Sequence, residues 1–583
     1  MIRKVFRQML VTQIVSAMTV MICMLIDSIM IGKFLGVDSM TAYGLATPIL
    51  LVFAAFGSML SAGIQVMCGK TMGSGDMKAT NACFSVSMFL AAAVSVIGLI
   101  AVLLFTNPIC ILLGAGNPTP DNVVFFLTRD YIRGFIVGAP AFIFAQIMVP
   151  YMQISGSRSR LVAAVIAMTV GDVTFDILNV FVVKGGTLGM GLASSLSYYI
   201  ALFIGIGYFF KKDCFFKFRA ALIKLKTCVE IIKYGIPTVI NQISLVLLVF
   251  VLNKILIEVG QNVAVASYSV ISTVGNICYC FGSGIGAVAL LLSSMFYSDQ
   301  EKSELRQLVK TMTFYAVVLD AAVIVAVLLA APFLVGLFLD NPAAEGMAIL
   351  GLRLFSLSLL PCALNTTFKN YYQGVNKTRF TEAISAMQNF AFTAIFAFVL
   401  SRFMGTTGVW LSYLCGETLT FLVISAVVWI KYKKVSFSAD AYSFLPKDFG
   451  AKDDDYIEMS INSKAGVIDA SVKAGDFCRQ HGENERNCGL ISLCIEEMTN
   501  NIVDHGFTKD KKEHSIDVRL LFKDEKKMIR IRDNCVNFDP INYIELHKDN
   551  DPASHIGMRL VMKMVTKANY VNSLGLNNLT LEL

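Results

Sequence analysis

Residues 11–32, VTQIVSAMTVMICMLIDSIMIG, form an apolar run with one charged side chain, that of Asp27. At 1.5 Å per helical residue, such a run crosses a hydrocarbon core of ~30 Å. It follows a basic N-terminus, as a signal peptide does, but it has no small-residue cleavage site. The run therefore predicts a retained first membrane span.

The rest of the chain extends this pattern, because 55% of its 583 residues are hydrophobic and only 16% are charged. These values are typical of membrane proteins and exclude an ordinary soluble domain. Further apolar runs begin near Gly44, Phe84, Tyr131, Leu161, Gly189, Val229, Val263, Thr311, Gly351, Ala383 and Thr407. We therefore predict twelve spans in two groups of six.

Charge and cysteine content exclude other classes. The net charge of +7 comes from Lys and Arg at the ends of apolar runs, not from a basic patch, so we expect no nucleic-acid partner. Fourteen cysteines occur without a C-x-x-C pair and are predicted to be small packing residues.

Loop charges predict the orientation of the spans. Clustered basic residues recur in alternate loops, for example Lys70 and Lys78, Arg158 and Arg160, and Lys431, Lys433 and Lys434. The intervening loops carry about one each, such as Lys33, Lys184 and Arg402. The positive-inside rule then places both termini in the cytoplasm of a cell whose inner or plasma membrane holds the protein.

The two groups of spans resemble each other at an offset of about 225 residues. Phe56-Gly-Ser58 recurs as Phe281-Gly-Ser283, and Asp27 falls opposite Asn253. Since each group has an even number of spans, the repeats share one orientation and are related by an axis along the membrane normal. Repeats of this kind enclose a midplane cavity that opens alternately to each side.

Three motifs carry a resemblance to a known family. They are Asp27-x-x-x-Ile31-Gly32 ending span one, Gly235-Ile-Pro237 opening span seven, and Gly408-Val-Trp410-Leu opening span twelve. Over residues 1–435 the chain resembles the multidrug and toxic compound extrusion (MATE) family. The resemblance implies twelve helices in two lobes that export cationic or amphipathic small molecules in exchange for H⁺ or Na⁺.

Acids within the spans are candidate functional residues, because an ionised group in hydrocarbon costs roughly 2.5–3.5 kcal/mol. Asp27 lies in span one, Asp172 and Asp176 lie four apart on one face of span five, and Asp320 lies in span nine. A carboxyl in an apolar cavity can hold a proton or a cationic substrate, but not both. The resemblance assigns Asp27, Asp172 and Asp176 to coupling and gives Asp320 no role. Glu417 is expected near a span end, where the interface solvates it.

Two positions depart from the MATE pattern. Asp172 stands where the family has Asn, which adds a charge and leaves the choice between H⁺ and Na⁺ open. Val11 occupies the place of a family proline early in span one, opposite Pro237. Without that proline, coupling by bending of span one is not expected.

The composition turns polar after Trp429. Residues 436–455 are predicted to be a linker, and a domain of alternating strands and helices is expected at 456–583. Its helix near 486–505 carries Glu497-Met-Thr-Asn-Asn501-Ile-Val-Asp-His505-Gly506, which places a carboxylate, an amide and an imidazole on one stripe.

Two later segments complete a second resemblance. Ile529-Arg-Ile-Arg-Asp533 ends an apolar strand, and His555-Ile-Gly557 opens a helix. With the Glu497–Gly506 box they resemble the GHKL ATP-binding fold, most closely that of the anti-sigma-factor serine kinases. The predicted fold class is thus an all-α polytopic membrane protein of two six-helix lobes, 1–215 and 216–435, followed by a C-terminal α/β GHKL-type sandwich at 456–583.

The GHKL resemblance also implies roles for individual residues. Asn501 would coordinate Mg²⁺, Asp533 would accept the adenine amino group, and Glu497 would act as base or water orienter. His505 belongs to the same ATP-binding set, and Gly557 would let backbone amides approach the phosphates. Cys535 and His555 replace two family glycines, so kinase activity stays open.

Three functions follow as hypotheses. The first is a cation-coupled multidrug exporter with a cytoplasmic ATP-binding regulatory module. The second is a membrane-anchored serine kinase or anti-sigma-type switch that acts on a small regulatory protein, with the membrane body as sensor. The third is a lipid-linked sugar flippase, which an Arg-rich cavity would favour, although the spans contain almost no Arg.

Overall fold

The computed structural model describes most of the chain. The described ranges are 2–74, 76–210, 214, 216–338, 342–446, 449–452, 454–507, 514–523, 526–546 and 556–583. Helices dominate as far as residue 443, and an antiparallel sheet with four helices follows. The chain is therefore mostly helical with one small mixed region, as predicted.

Fifteen α-helices build the described part of the membrane region. They are α1 (Ile2–Met30), α2 (Val37–Gly73), α3 (Met77–Leu104), α4 (Thr106–Leu112), α5 (Val123–Ile136), α6 (Ala139–Ile154), α7 (Arg158–Leu178), α8 (Gly186–Phe209), α9 (Leu225–Ser298), α10 (Lys302–Gly336), α11 (Pro342–Ser356), α12 (Leu359–Gly374), α13 (Thr378–Ala386), α14 (Phe392–Met404) and α15 (Thr406–Tyr432). Each predicted apolar run begins inside one of these helices, and the runs that begin near Tyr131, Gly351 and Ala383 continue into the next helix.

Ten helices among the described residues are long and apolar enough to span a membrane, and the number rises to twelve if two bent pairs each count as one span. The pairs are α5 with α6, bent by 46°, and α11 with α12, bent by 45°. Pro140 and Pro361 lie in the first turn of the second helix of each pair, where proline fits but ends the preceding helix. The structure thus supports ten to twelve spans.

The first and seventh spans differ, as the sequence indicates. α1 contains no proline and passes directly into a π-helical segment at Ile31–Leu35. α9 contains Pro237 and turns at Gln261, whose φ of 53° breaks the helix into two spans. Two further π-helical segments lie at Asn179–Val183 and Met387–Ala391.

The two predicted lobes meet where α2 packs along α9. α2 ends in Gly69-Lys-Thr-Met-Gly73, a small-xxx-small pattern that lets helix backbones approach closely. A Cβ at Gly69 would collide with the Ser294 hydroxyl, and one at Gly73 would collide with the carbonyl of Met295. The Ser298 hydroxyl donates to the carbonyl of Lys70 at 2.6 Å. The lobes are therefore closed at the end of the bundle where α2 and α9 terminate.

Part of the predicted linker is anchored to the membrane body. Within 436–455, a short helix α16 (Ala439–Ser443) buries Tyr442 among the span residues. The hydroxyls of Tyr371 and Tyr372 donate to the carbonyls of Ser443 and Tyr442 at 3.1 and 3.2 Å. Apolar packing overrides the polar composition here.

The C-terminal domain is a five-stranded antiparallel sheet with helices on one face. Its strands are β1 (Tyr456–Ile461), β2 (Ile516–Lys523), β3 (Lys526–Asp533), β4 (Lys567–Ser573) and β5 (Leu576–Glu582), in the order β1-β2-β3-β5-β4. The helices are α17 (Lys464–Gln480), α18 (Glu485–Gly506), α19 (Pro540–Leu546) and α20 (Ile556–Met564). Alternate apolar residues such as Val518 and Ile531 pack against α17 and α18, since successive strand residues face opposite sides.

Candidate functional site

Three carboxyls from two helices meet inside the predicted first lobe, residues 1–215. Asp27 on α1 lies within hydrogen-bonding reach of both Asp172 and Asp176 on α7. Their exposed fractions are 8%, 4% and 0%. The structure therefore brings together the three acids that the sequence assigned to coupling.

The cluster of Asp27, Asp172 and Asp176 contains more hydrogen-bond acceptors than donors. Asp172 contacts the hydroxyl of Ser197 and the thiol of Cys23. Among the described residues, Oδ1 of Asp27, Oδ1 of Asp172 and both carboxyl oxygens of Asp176 lack a hydrogen-bond partner. Neighbouring buried carboxylates repel each other, so the cluster is suited to take up protons or a cation.

π-helical turns adjoin these acids. Ile31–Leu35 begins four residues after Asp27, and Asn179–Val183 begins three residues after Asp176. Single-turn π segments within α-helices are frequent at functional sites. The second turn is fixed by Asn179, whose amide donates to the carbonyl of Gly186 at 3.0 Å and accepts from the amide of Gly185 at 3.1 Å.

A second polar cluster lies inside the second lobe, residues 216–435. Asn365 donates to the carboxylate of Glu417 at 2.8 Å, and the Gln388 amide approaches the same carboxylate at 3.5 Å. The amine of Lys369 donates to Gln388 at 3.1 Å and to Asn241 at 2.5 Å. Amide bridges thus link a buried amine to a buried carboxylate.

This second cluster corrects one expectation and adds residues that the sequence reading missed. Glu417 was expected near a solvated span end, but it lies inside α15 and is 5% exposed. Lys369, which is 7% exposed, was not a candidate. It is the only charged side chain in the apolar helix α12, and that isolation was the available signal. Asp320 is also buried, at 2% exposure, apart from the first-lobe acids.

Comparison with known proteins establishes the family. The sequence profile of the MatE family matches residues 13–178 and 237–399, more than half of the chain. The chain belongs to the MATE family. It is therefore a multi-pass membrane transporter, and both matched stretches fall within the predicted lobes.

Relatives of this MATE protein include proteins named as multidrug exporters. It is 25% identical over 401 residues to the multidrug export protein MepA of Staphylococcus saprophyticus, covering 68% of this chain and 87% of MepA. MepA of Staphylococcus aureus strain RF122 is 23% identical over 393 residues, covering 67% of this chain and 85% of that protein.

Solved structures show the same fold. An outward-facing MATE transporter of the MOP superfamily superposes with a TM-score of 0.68 at 19% identity, covering 72% of this chain and 94% of that one. A MOP superfamily transporter from Pyrococcus furiosus gives 0.68 at 18% identity, covering 76% and 97%.

The C-terminal domain lies outside the stretch matched to the MATE family, and its candidate residues are positioned by α18, α20 and β3. Asn501 donates to the carbonyl of Glu497 one turn earlier at 2.8 Å. A Cβ at Gly557, the second residue of α20, would collide with the Glu497 carboxylate. The structure thus places the Glu497 side chain, in the Glu497–Gly506 segment, against the start of α20. His505 is exposed at the end of α18, and His555 lies outside the described residues.

Asp533 lies at the end of β3 and is 4% exposed. Its Oδ1 accepts from the amide side chain of Asn577 at 2.8 Å and from the backbone N–H of Cys535 at 2.9 Å. Burial raises the pKa of the Asp533 carboxyl, and these two donors oppose the rise. A carboxylate held in this way can accept an amino group of a bound base.

Proposed function

We propose that this MATE protein is a secondary active multidrug exporter that exchanges H⁺ or Na⁺ for cationic or amphipathic compounds. The observation that carries this proposal is the buried cluster of Asp27, Asp172 and Asp176. The family membership and the export function of MepA support it. We further propose that it resides in the cell membrane with both termini in the cytoplasm.

The exchange follows from the electrostatics of the cluster. When the cavity is empty, three adjacent buried carboxyls cannot all be ionised at low cost, so they hold a proton or a metal cation. A cationic substrate that enters the cavity neutralises the same charge and displaces that ion. Because the cluster satisfies only one occupant at a time, rocking of the lobes carries ion and substrate in opposite directions.

Uptake of a fluorescent organic cation into proteoliposomes tests the exporter. We expect Asp27→Asn and Asp176→Asn to reduce gradient-driven uptake by at least about 100-fold, which corresponds to about 2.7 kcal/mol. Asp38→Asn, an exposed acid at the start of α2, is the matched control and should transport normally. Uptake that persists in both cluster variants would contradict the proposal. Imposed proton or sodium gradients then identify the coupling ion.

We propose, in addition, that the C-terminal domain binds ATP and Mg²⁺ and regulates the transporter. The arrangement that supports this is the buried acceptor Asp533 together with Glu497 at the glycine that opens α20. Among the described residues of the C-terminal domain, no group of three His, Cys, Asp or Glu side chains is arranged to hold a metal ion, so Asn501 would share Mg²⁺ with phosphate oxygens. Bound Mg²⁺ would neutralise phosphate charge. The amide of Asn501 would orient the ion, and the α20 N-terminus would hold the phosphates.

Binding of a fluorescent ATP analogue to the full chain tests this module. We expect Asn501→Ala to weaken Mg²⁺-dependent binding at least about tenfold, or about 1.4 kcal/mol. Asn487→Ala is a suitable control, because it lies fourteen residues earlier on α18, about 21 Å away along the helix. Binding that is absent at millimolar nucleotide, or equal in both variants, would contradict the assignment.

The signalling switch remains a second candidate, because the Glu497, Asn501 and Asp533 segments resemble those of the anti-sigma-factor serine kinases. It requires that a cation bound to the membrane body changes nucleotide affinity while no net uptake occurs. Measuring ATP-analogue affinity and uptake on one preparation separates the two functions. Uptake that depends on a gradient favours the exporter.

A further inference from the structure

One face of the C-terminal sheet carries arginines that contact the membrane body. Arg519 on β2 and Arg530 on β3 are directly paired across the strands, and Arg532 lies two residues further on. Helices cover the opposite face of the sheet, so these three side chains point away from the core of the domain. Like charges directly opposite on adjacent strands destabilise a sheet unless acids compensate them.

The compensating acids come from the turn between α9 and α10 and from the first turn of α10, in the predicted second lobe. Glu301, 1% exposed, pairs with Arg530, and Asp299 pairs with Arg530 at 2.7 Å. Glu304 pairs with Arg532 at 3.4 Å. Burial lowers the pKa of Arg530 to about 10, so the guanidinium remains charged at neutral pH. The domain is thus attached to the second lobe by desolvated ion pairs.

The other end of the sheet contacts the first lobe. The backbone N–H of Leu574, in the turn between β4 and β5, donates to the carbonyl of Ile154 at the end of α6 at 2.6 Å. Gly575 lies against Gly156, where a Cβ would approach the Gly575 nitrogen to 2.7 Å. Leu574 also packs in one apolar cluster with Val5 of α1. One rigid sheet therefore touches both lobes.

These contacts lie at the end of the bundle where the lobes are closed. α2 and α9 terminate there, at Gly73 and Ser298, and the acidic turn follows α9 directly. Opening the transporter at this end must separate α2 from the second half of α9. A sheet bound to both lobes opposes that separation.

We propose that the C-terminal domain is a strap that holds the two lobes closed at their cytoplasmic ends, and that its arginine face must release the 299–304 turn before the transporter opens inward. The proposal rests on the exporter cycle described above, but it predicts a conformation that can be measured without transport. It assigns the domain a mechanical contact with the body in addition to nucleotide binding.

The strap and the nucleotide residues share two strands. Arg532 donates to Asn578 at 2.6 Å on the strap side, and Asp533 accepts from Asn577 on the nucleotide side. Since adjacent strand residues face opposite sides, a shift of β5 relative to β3 moves both pairs together. This arrangement provides a route by which an event at Asp533 reaches the arginine face.

Cysteine accessibility in the full chain tests the strap. Ser294→Cys places a thiol in the closed α2–α9 contact, where the native hydroxyl donates to the carbonyl of Gln65 at 3.0 Å. Labelling by a water-soluble maleimide reports opening at this end, and the chain without this substitution gives the background from native cysteines. We expect Glu301→Ala and Arg530→Ala each to raise the labelling rate at least about tenfold.

A double-mutant cycle makes the result specific. Because both variants remove the Glu301–Arg530 pair, the chain with Glu301→Ala and Arg530→Ala together should label more slowly than independent effects of the two substitutions would give. Lys473→Ala, which breaks an exposed ion pair with Asp469 on α17, is the control and should label as the parent does.

Labelling of Glu301→Ala at the control rate, or additive effects of the two substitutions, would overturn the strap. Glu301 lies in a turn of the membrane body, so its variant changes no residue of the sheet and remains informative if Arg530→Ala misfolds. Since no gradient or substrate is used, loss of transport in the earlier assay and loss of this labelling response are separate outcomes.

Discussion

The polar clusters of the two lobes differ in their balance of charge. The first lobe gathers three carboxyls, and several of their oxygens lack a hydrogen-bond partner among the described residues. The second lobe surrounds one carboxylate, Glu417, with the amides of Asn365 and Gln388 and connects it to the amine of Lys369. The two predicted lobes therefore bury charge in opposite ways.

The two clusters therefore have different effects on the stability of the resting protein. Adjacent buried acids destabilise the resting protein, and binding an ion or a cationic substrate relieves that cost. A buried amine and carboxylate joined by amides satisfy each other without a ligand. We therefore expect first-lobe substitutions to affect transport and second-lobe substitutions to affect stability.

The largest effect on stability should come from Lys369→Met. Removing the amine leaves Glu417 as a buried charge without its compensating cation, which costs about 3 kcal/mol of unfolding free energy. Thermal unfolding in detergent measures the loss. Adding Glu417→Gln should recover part of it, because the remaining charge is removed as well. Lys254→Met, an exposed lysine on α9, is the control; an equal loss there would show that the second cluster does not support the lobe.

The opposite sign is expected in the first lobe. Asp176→Asn removes one of the repelling carboxyls and should raise the unfolding free energy by about 1 kcal/mol while it abolishes uptake. The same detergent unfolding assay, run beside the uptake assay, measures both quantities. A clear loss of stability in Asp176→Asn would mean that this acid is a structural partner, and the contrast between the lobes would disappear.

Much of the fold could be predicted from the sequence. Apolar length and loop charge locate spans because a bilayer requires long continuous helices. The Glu497–Gly506 motif located one helix of the C-terminal domain within one residue at each end, since the predicted helix near 486–505 is α18, Glu485–Gly506. The bends before α6 and α12 and the packing of α16 were not predicted, since they depend on contacts between segments far apart in sequence.

The sequence revealed the buried acids of the candidate sites but not the buried amides, and the reason is physical. Asp27, Asp172 and Asp176 were found because a charge in an apolar run is conspicuous. Asn365 and Gln388 were missed, because a neutral amide in a span gives no comparable signal until its partner is known. The same holds for the strap: Glu301 and Arg530 each resemble ordinary surface charges in the sequence, and only the fold brings them together.

The smallest effect on uptake should come from Asp172→Asn. This variant distinguishes the role of Asp172 from that of Asp176. Asn retains hydrogen bonds to Ser197 and Cys23 but removes the third ionisable carboxyl, which restores the residue that the MATE resemblance implies at this position. Uptake should persist with a rate change of about threefold or less, or about 0.6 kcal/mol. The ratio of proton-driven to sodium-driven uptake should shift, because a site with fewer charges binds a metal cation less tightly. Loss of uptake as complete as in Asp176→Asn would show instead that all three carboxyls act as one coupling unit.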